Sequence, residues 1–286
     1  MRIPISMCAL LLFITSSAAQ YEQFNNPEVE MNMTRSMMYP TVFVYAGGSR
    51  GSGTALFSGY VDNTVICRSE FTVGTAATAS CTGNEKGRDI RTYILSAWHI
   101  LDNLFSEPPL PKRRGDAPEY APLKIYASAR IAGGSSANMK TVFKKFEALI
   151  IAKDEKNDLV LLSIKEMLPF TANTAPRDVA LQPFRMVWAL GSPLGHGPMP
   201  TGGYLAGTRQ MLSGKGYFLS NASIYGGNSG GGLFHYSKER KRFELIAVSK
   251  GLGLGPFGPV PHIVLSIPIE TVHDFLEKNS FGFIAQ

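Results

Sequence analysis

Cysteine is scarce in this chain, with three residues in 286, and none falls in a Cys-x-x-Cys spacing or beside a histidine cluster. That excludes the usual structural zinc site, which gathers four such ligands at short intervals. Long apolar runs are also missing. The longest, residues 7–14, is well short of the roughly 20 residues a membrane-spanning helix needs. Nor is there a long basic run, since the net charge of +6 is spread along the sequence. Its densest cluster, Lys112, Arg113 and Arg114, sits in the proline-rich stretch 106–122 and reads as a solvated surface loop, so nucleic acid is not an expected partner. Repeats of solenoid or propeller length are absent, and helical periodicity is rare.

What is present begins with an export signal. Arg2 precedes the apolar core 7–14, and Thr15, Ser16, Ser17, Ala18 and Ala19 follow. This is the order of a secretory signal peptide cut before Gln20. Residues 1–19 are therefore expected to be removed, giving a secreted or periplasmic protein with no stable membrane insertion. Losing Cys8 with the signal leaves Cys67 and Cys81, an even pair in an oxidising compartment. A bridge between them would close a loop of about 15 residues, worth roughly 3 kcal/mol in the chain-entropy picture. Two unpaired buried thiols are the alternative.

The richest local pattern is Gly226-Gly227-Asn228-Ser229-Gly230-Gly231. A serine between glycines can sit on a tight turn with its hydroxyl exposed. The backbone N–H groups of Gly227 and Ser229 can then converge beside it as an oxyanion hole. Serine is a weak nucleophile unless an imidazole takes its proton, and the imidazole needs a buried carboxylate to fix its tautomer. Both partners have candidates upstream. The apolar run 93–97 leads through Trp98 into His99, and Asp158 opens the apolar run 159–164. Asp154 is the rival acid, but it lies in a charged turn with Lys153, Glu155 and Lys156. Asp102 is expected to face solvent, and His196, His235, His262 and His273 to be surface or loop residues.

The order His99, Asp158, Ser229 and the blocks around these residues resemble the trypsin-like serine proteases, closest to the HtrA-type branch. Gly51-Ser52-Gly53-Thr54 and Ala189-Leu190-Gly191-Ser192-Pro193 match in the same order, so the resemblance covers roughly residues 40–280. It departs at Trp98, where a small or polar residue is often found, and at Gly232, where proline or alanine is usual. Neither change removes a catalytic group. About 57 residues follow Ser229, enough for the last strands and a helix, so a single domain without a PDZ domain is expected. No cofactor or metal is implied.

Short apolar runs punctuated by glycine and proline favour a closed all-β architecture. Strands at 42–45, 53–57, 93–96, 124–127, 143–151 and 159–164 are expected to form a first barrel, within about 40–166. Strands at 186–190, 203–208, 217–220, 232–235, 245–249 and 261–266 would form a second, within about 180–267. The fold class is thus all-β, two six-stranded antiparallel barrels with a short C-terminal helix at about 268–279. That helix has proline near its start and Ile269, Val272, Phe275 and Leu276 at helical spacing. One helical turn is expected from His99, and a hairpin tip at 238–242. Residues 20–38 read as a flexible segment or strap ahead of the protease domain at 39–283.

Function follows from the motif and the resemblance together. The expectation is a secreted serine endopeptidase acting on protein or peptide substrates through an acyl-enzyme. The alternative is an inactive binding protein on the same scaffold, because fold alone does not fix function. By resemblance Ser223 lies at the base of the primary pocket, with Ser249, Lys250 and Gly251 along its wall. No acid stands there to receive arginine or lysine, so small or medium apolar side chains are preferred. The rival is an acidic substrate residue recruited by Lys250.

Overall fold

The computed structural model describes residues 26–61, 66–70, 78–79, 89–106, 125–133, 140–256 and 258–285. The expected signal peptide, Cys81 and the 112–114 basic cluster lie outside these residues, and Cys67 is described by its backbone alone. The chain divides into two units, Met1–Arg35 and Ser36–Gln286. In the first, helix α1 (Pro27–Met33) has Asn26 as N-cap, its side chain accepting the Glu28 N–H at 2.9 Å, and Pro27 at its opening. A π-helical turn over Thr34–Met38 follows. Residues 27–38, within the stretch 20–38 read as a flexible segment or strap, are thus helical. The Asn-Pro-Glu start is an ordinary helix N-terminus, with an acceptor at the cap and a pre-set φ at the first position.

In the second unit the first barrel is built from β1 (Thr41–Ala46), β2 (Ser49–Val61), β5 (Asp89–Ala97), β6 (Ile125–Gly133), β7 (Lys140–Asp154) and β8 (Leu159–Ile164). Their order is β1-β6-β7-β8-β5-β2, and antiparallel pairing of β1 with β2 closes the ring. Two short strands, β3 (Ile66–Glu70) and β4 (Thr78–Ala79), extend the β2 edge. Val42, Val44, Ile94, Val160 and Leu162 fill the interior, all without exposed surface. Trp98 joins this core at 5% exposure, and the Lys153 ammonium lies 4.5 Å from its ring centre. The bulky residue before His99 therefore serves as barrel packing with a cation over its outer face.

The second barrel comprises β10 (Met186–Gly191), β11 (Met199–Leu212), β12 (Lys215–Ser220), β13 (Gly232–Ser237), β14 (Arg242–Gly255) and β15 (Gly258–Pro268). Their order is β13-β10-β11-β12-β15-β14, closed by β13 against β14. A two-residue strand, β9 (Asn173–Thr174), runs parallel along β14. Gly232 is explained by its neighbours, since a Cβ there would stand 2.3 Å from the Phe234 ring and 2.7 Å from Leu245 Cδ1. The tip at 238–241 joins β13 to β14 as expected. Beneath it Glu244, fully buried, accepts from Arg240 at 2.6 and 2.9 Å and from Arg242 at 2.8 Å. Burial alone would raise the Glu244 carboxyl, but these two guanidinium groups outweigh it and hold it below its ordinary value. His235 stands 3.5 Å from the same carboxylate.

Helix α3 (Ile269–Lys278) buries Ile269, Val272, Phe275 and Leu276, the four residues its spacing predicts. Behind it Phe281 and Phe283 turn back onto barrel one, stacking edge-on against Tyr93 and Phe57 at 5.3 and 5.6 Å. All twelve barrel strands read from the sequence are present, several of them longer than expected.

Candidate active site

His99 is the first residue of helix α2 (His99–Ser106), reached from the end of β5 through a turn at Trp98. A helix start leaves backbone N–H groups without intrahelical partners. Here the His99 N–H is satisfied by Asp158 Oδ1 at 2.8 Å. The other carboxylate oxygen, Oδ2, stands 2.8 Å from His99 Nδ1. Both oxygens thus address one residue, fixing the imidazole plane and leaving Nε2 to face outward. The ring is 45% exposed and the carboxylate 7%.

Asp158 reaches this position through an uncommon backbone. It ends the turn before β8 with φ of 62°, the left-handed region that aspartate tolerates better than most residues. Its carbonyl accepts the Trp98 N–H at 3.2 Å, so the two chain segments are joined by backbone as well. Lys250 Nζ supplies a further contact, donating to Asp158 Oδ2 at 2.7 Å. Burial alone would raise the Asp158 pKa. The hydrogen bond and charge of His99, the Lys250 ammonium and the His99 N–H together reverse that and bring it to about 2.

The rival acids do other work. Asp154 accepts the Asn157 N–H at 3.0 Å and its side-chain amide at 2.8 Å, holding the charged turn together. Asp102 is exposed, as are His196 and His262. The expectation of a surface or loop position fails for His235, which is 4% exposed inside β13, where its burial lowers the ring below the ordinary histidine value. It fails in part for His273, which lies on α3 with Nε2 2.9 Å from the Ala175 carbonyl.

Ser229 sits half-buried on the glycine turn. Gly227 has φ of 100° and Gly230 of 81°, values that side chains with a Cβ rarely adopt. Space is as strict as conformation. A Cβ on Gly227 would stand 2.7 Å from the Ser192 carbonyl oxygen, and one on Gly230 2.2 Å from that of Ser52. Among the described residues, neither the Gly227 N–H nor the Ser229 N–H has a protein acceptor. The Ser229 hydroxyl donates to the Lys250 carbonyl at 3.3 Å, and among the described residues it has no hydrogen bond to His99.

The two barrels meet at Ser52, a contact that sequence reasoning missed. Its N–H donates to the Ser229 carbonyl at 2.7 Å, its hydroxyl donates to the Gly227 carbonyl at 2.7 Å, and that hydroxyl accepts the Ser192 N–H at 2.7 Å. Its own carbonyl accepts the Ser96 hydroxyl at 2.6 Å, three residues before His99. A buried serine therefore ties the histidine strand to the nucleophile turn. Nothing in the local pattern marks this role beyond the position of Ser52 between two glycines.

Of the expected pocket residues, Ser223 is exposed and its carbonyl accepts the Thr201 hydroxyl at 2.6 Å. Ser249 is fully buried, its carbonyl accepting the Gly230 N–H at 2.8 Å. Gly251 pairs with Leu265 across β14 and β15, and a Cβ there would meet open space. The Lys250 ammonium is on Asp158 Oδ2 at 2.7 Å. Among the described residues no group of three or more His, Cys, Asp or Glu side chains is arranged to hold a metal ion.

The profile of the trypsin-like peptidase domain matches residues 77–240, a span that contains His99, Asp158 and Ser229. The chain belongs to this family. Among curated relatives of this trypsin-like peptidase, the periplasmic serine endoprotease DegP of Escherichia coli K12 is 30% identical over 139 residues. That alignment is 47% of this chain and 28% of the relative. A probable periplasmic DegP-like endoprotease of Rhizobium meliloti is 26% identical over 137 residues, again 47% of this chain and 26% of the relative. The aligned stretch thus spans little more than a quarter of these relatives. Two solved structures share the fold of this family member. The HtrA-type protease AlgW with tripeptide has a TM-score of 0.56 at 17% identity, covering 88% of this chain and 64% of that one. Deg5 has a TM-score of 0.55 at 18% identity, covering 87% and 93%.

Proposed function

We propose that this protein is an exported serine endopeptidase that hydrolyses peptide bonds through Ser229, His99 and Asp158. The observation that carries the reading is the double engagement of His99 by a buried carboxylate, through N–H and Nδ1 at 2.8 Å each. A purely structural aspartate has no need to hold a half-exposed imidazole by its inner nitrogen while leaving the outer one open. With Nδ1–H donated to Asp158, Nε2 is the acceptor tautomer that a general base requires. To react, the Ser229 hydroxyl must leave the Lys250 carbonyl for that nitrogen. Catalytic hydrogen bonds are often unmade before substrate binds.

In the reaction Ser229 Oγ attacks the scissile carbonyl as His99 Nε2 takes its proton. The negative oxygen of the tetrahedral intermediate is received by the N–H groups of Gly227 and Ser229, which have no protein acceptor among the described residues. His99 then gives the proton to the leaving amine, and water attacks the acyl-enzyme by the same base catalysis. Asp158 stays ionised throughout and stabilises the imidazolium.

Substrates are proteins or peptides, with small or medium apolar side chains at the primary pocket formed by Ser223, Ser249 and Gly251. An acidic substrate residue held by Lys250 is disfavoured, because the ammonium is already on Asp158. Export is supported by the sequence of residues 1–19 and by the periplasmic relatives. A disulfide between Cys67 and Cys81 fits the same compartment. Among the described residues no helix is long and apolar enough to cross a membrane.

The test is a fluorophosphonate probe on the mature protein, with peptide mapping of the adduct and casein hydrolysis measured alongside. Labelling confined to Ser229, lost in Ser229→Ala together with casein cleavage, is the expected result. Casein turnover that survives Ser229→Ala would overturn Ser229 as the nucleophile, and a wild type inert to both the probe and casein would overturn the reading in favour of a binding protein.

A further inference from the structure

Lys250 sits at a break in strand register. Ser249 pairs with Ser266 across β14 and β15, and Gly251 pairs with Leu265, so two residues of β14 span one step of β15. Lys250 is the extra residue. A bulge of this kind re-aims the side chain it carries. From this position Nζ lies 5.9 Å from the Tyr217 ring centre and 2.7 Å from Asp158 Oδ2. The Lys250 side chain is 31% exposed, so its stem is largely packed while its head is on a carboxylate that is itself 7% exposed.

The same residue touches the nucleophile from its other end, since its carbonyl accepts the Ser229 hydroxyl at 3.3 Å. Lys250 therefore contacts two of the three triad candidates, one by side chain and one by backbone. The hydroxyl of Ser249, the neighbouring buried polar side chain, makes no hydrogen bond among the described residues. The charged groups facing the carboxylate are His99 from α2 and Lys250 from β14. In its own turn Lys153 is paired with Glu155 at 2.6 Å, Asp154 is spent on Asn157, and Lys156 is exposed.

We infer that Lys250 is a positioning residue of the triad: its ammonium pins the Asp158 carboxylate from the β14 side, so that both oxygens stay aligned on His99. This rests on the peptidase reading above. A carboxylate with one face on His99 alone can rotate about Cβ–Cγ and lose either the N–H or the Nδ1 contact. A third donor on Oδ2 removes that freedom. The arrangement also ties substrate-side strand β14 to the acid of the other barrel.

Lys250→Met and Lys250→Ala test it. The expected result is a fall in kcat of about tenfold to a hundredfold, the scale of a small misplacement of catalytic groups, with KM nearly unchanged. Millimolar propylammonium should restore part of kcat to Lys250→Ala, whose vacated stem can admit it, and none to Lys250→Met. In a Ser229→Ala background, the carbon-13 titration of the Asp158 carboxyl should move upward from about 2 when Lys250 is replaced. An unchanged kcat, a loss confined to KM, or an unmoved titration would each overturn the inference, the second by returning Lys250 to a substrate-contact role. If Lys250→Ala does not fold, Lys250→Met keeps the apolar stem and carries the kcat and titration readouts. A wild-type protein inert to both fluorophosphonate and casein would instead overturn the peptidase reading itself. An active wild type with unaltered Lys250 variants overturns only this inference.

Discussion

The two halves of the candidate site are built by different physics. The His99–Asp158 half is held by side chains and charge, with a carboxylate receiving an N–H, an imidazole and an ammonium at 2.7–2.8 Å. The Ser229 half is held by backbone, with glycines at positive φ fitted between Ser192, Ser52 and Ala97. The first is sensitive to protons and to the loss of a partner. The second is sensitive to the addition of a single methyl group. The difference teaches that one site can fail in two separable ways, and each way has its own measurement.

The largest effects come from breaking both halves at their reacting atoms. Ser229→Ala and His99→Ala should each lower casein turnover by about 10⁶, and the double variant by little more, because the groups act as a unit. Asp158→Asn, which mis-sets the imidazole tautomer while keeping the shape, should cost about 10⁴. If the double variant instead showed the product of the two losses, the halves would be independent sites.

A steric break of the second half alone comes next. In Gly230→Ala a Cβ would lie 2.2 Å from the Ser52 carbonyl, 2.5 Å from Ser96 Oγ and 2.7 Å from the Ala97 N, at a φ of 81°. Backbone must move, so we expect a stability loss of about 3 kcal/mol in urea unfolding, with activity falling as well. A variant as stable as wild type would show that the turn adapts more freely than its packing implies.

Acid separates the halves without mutation. The folded Asp158 pKa of about 2 lies below the ordinary carboxylate value, so the folded state binds fewer protons than the unfolded chain. Its contribution, roughly 2 kcal/mol, is therefore fully present above about pH 5 and is lost as pH falls toward 2. Comparing urea midpoints of wild type and Asp158→Asn across that window should show the wild-type advantage vanish at the acid end. The smallest effect is expected from Asp154→Asn. It should leave turnover within twofold and cost at most about 0.5 kcal/mol, since an amide oxygen can still accept the Asn157 N–H. A triad-sized loss there would make Asp154 the catalytic acid.

Much of the fold, and the residues of the candidate triad, were legible in the sequence because barrel strands and the motifs around His99, Asp158 and Ser229 are local patterns. β8 is six consecutive buried apolar or small residues opened by Asp158, and the run 93–97 points directly at His99. Strand lengths were underestimated where strands project beyond the barrel. In β11, residues 208–212 range from half-buried to exposed, so no alternation marks them as strand. The short β3, β4 and β9 carry too few residues for any period. The Lys250–Asp158 contact joins positions 92 apart through a bulge, and a register shift leaves no trace in composition. His235 was misjudged for a related reason. It lies inside β13 opposite Glu244 on β14, a pairing that its own neighbours in sequence do not reveal.

The hydrogen bonds of the Ser52 side chain have a consequence for the timing of synthesis. Its hydroxyl must find the carbonyl of Gly227, 175 positions later, and the amide of Ser192, 140 positions later. A nascent chain that has released only the first barrel already carries His99, Asp158 and their supporting strands. It has no Ser229, and the N–H groups that would receive an oxyanion have not been made. Even once the serine has emerged, the glycine turn lacks its anchor until the second barrel closes and docks on Ser52. On the proposed reading, hydrolytic competence would therefore arrive only once the second barrel has been made.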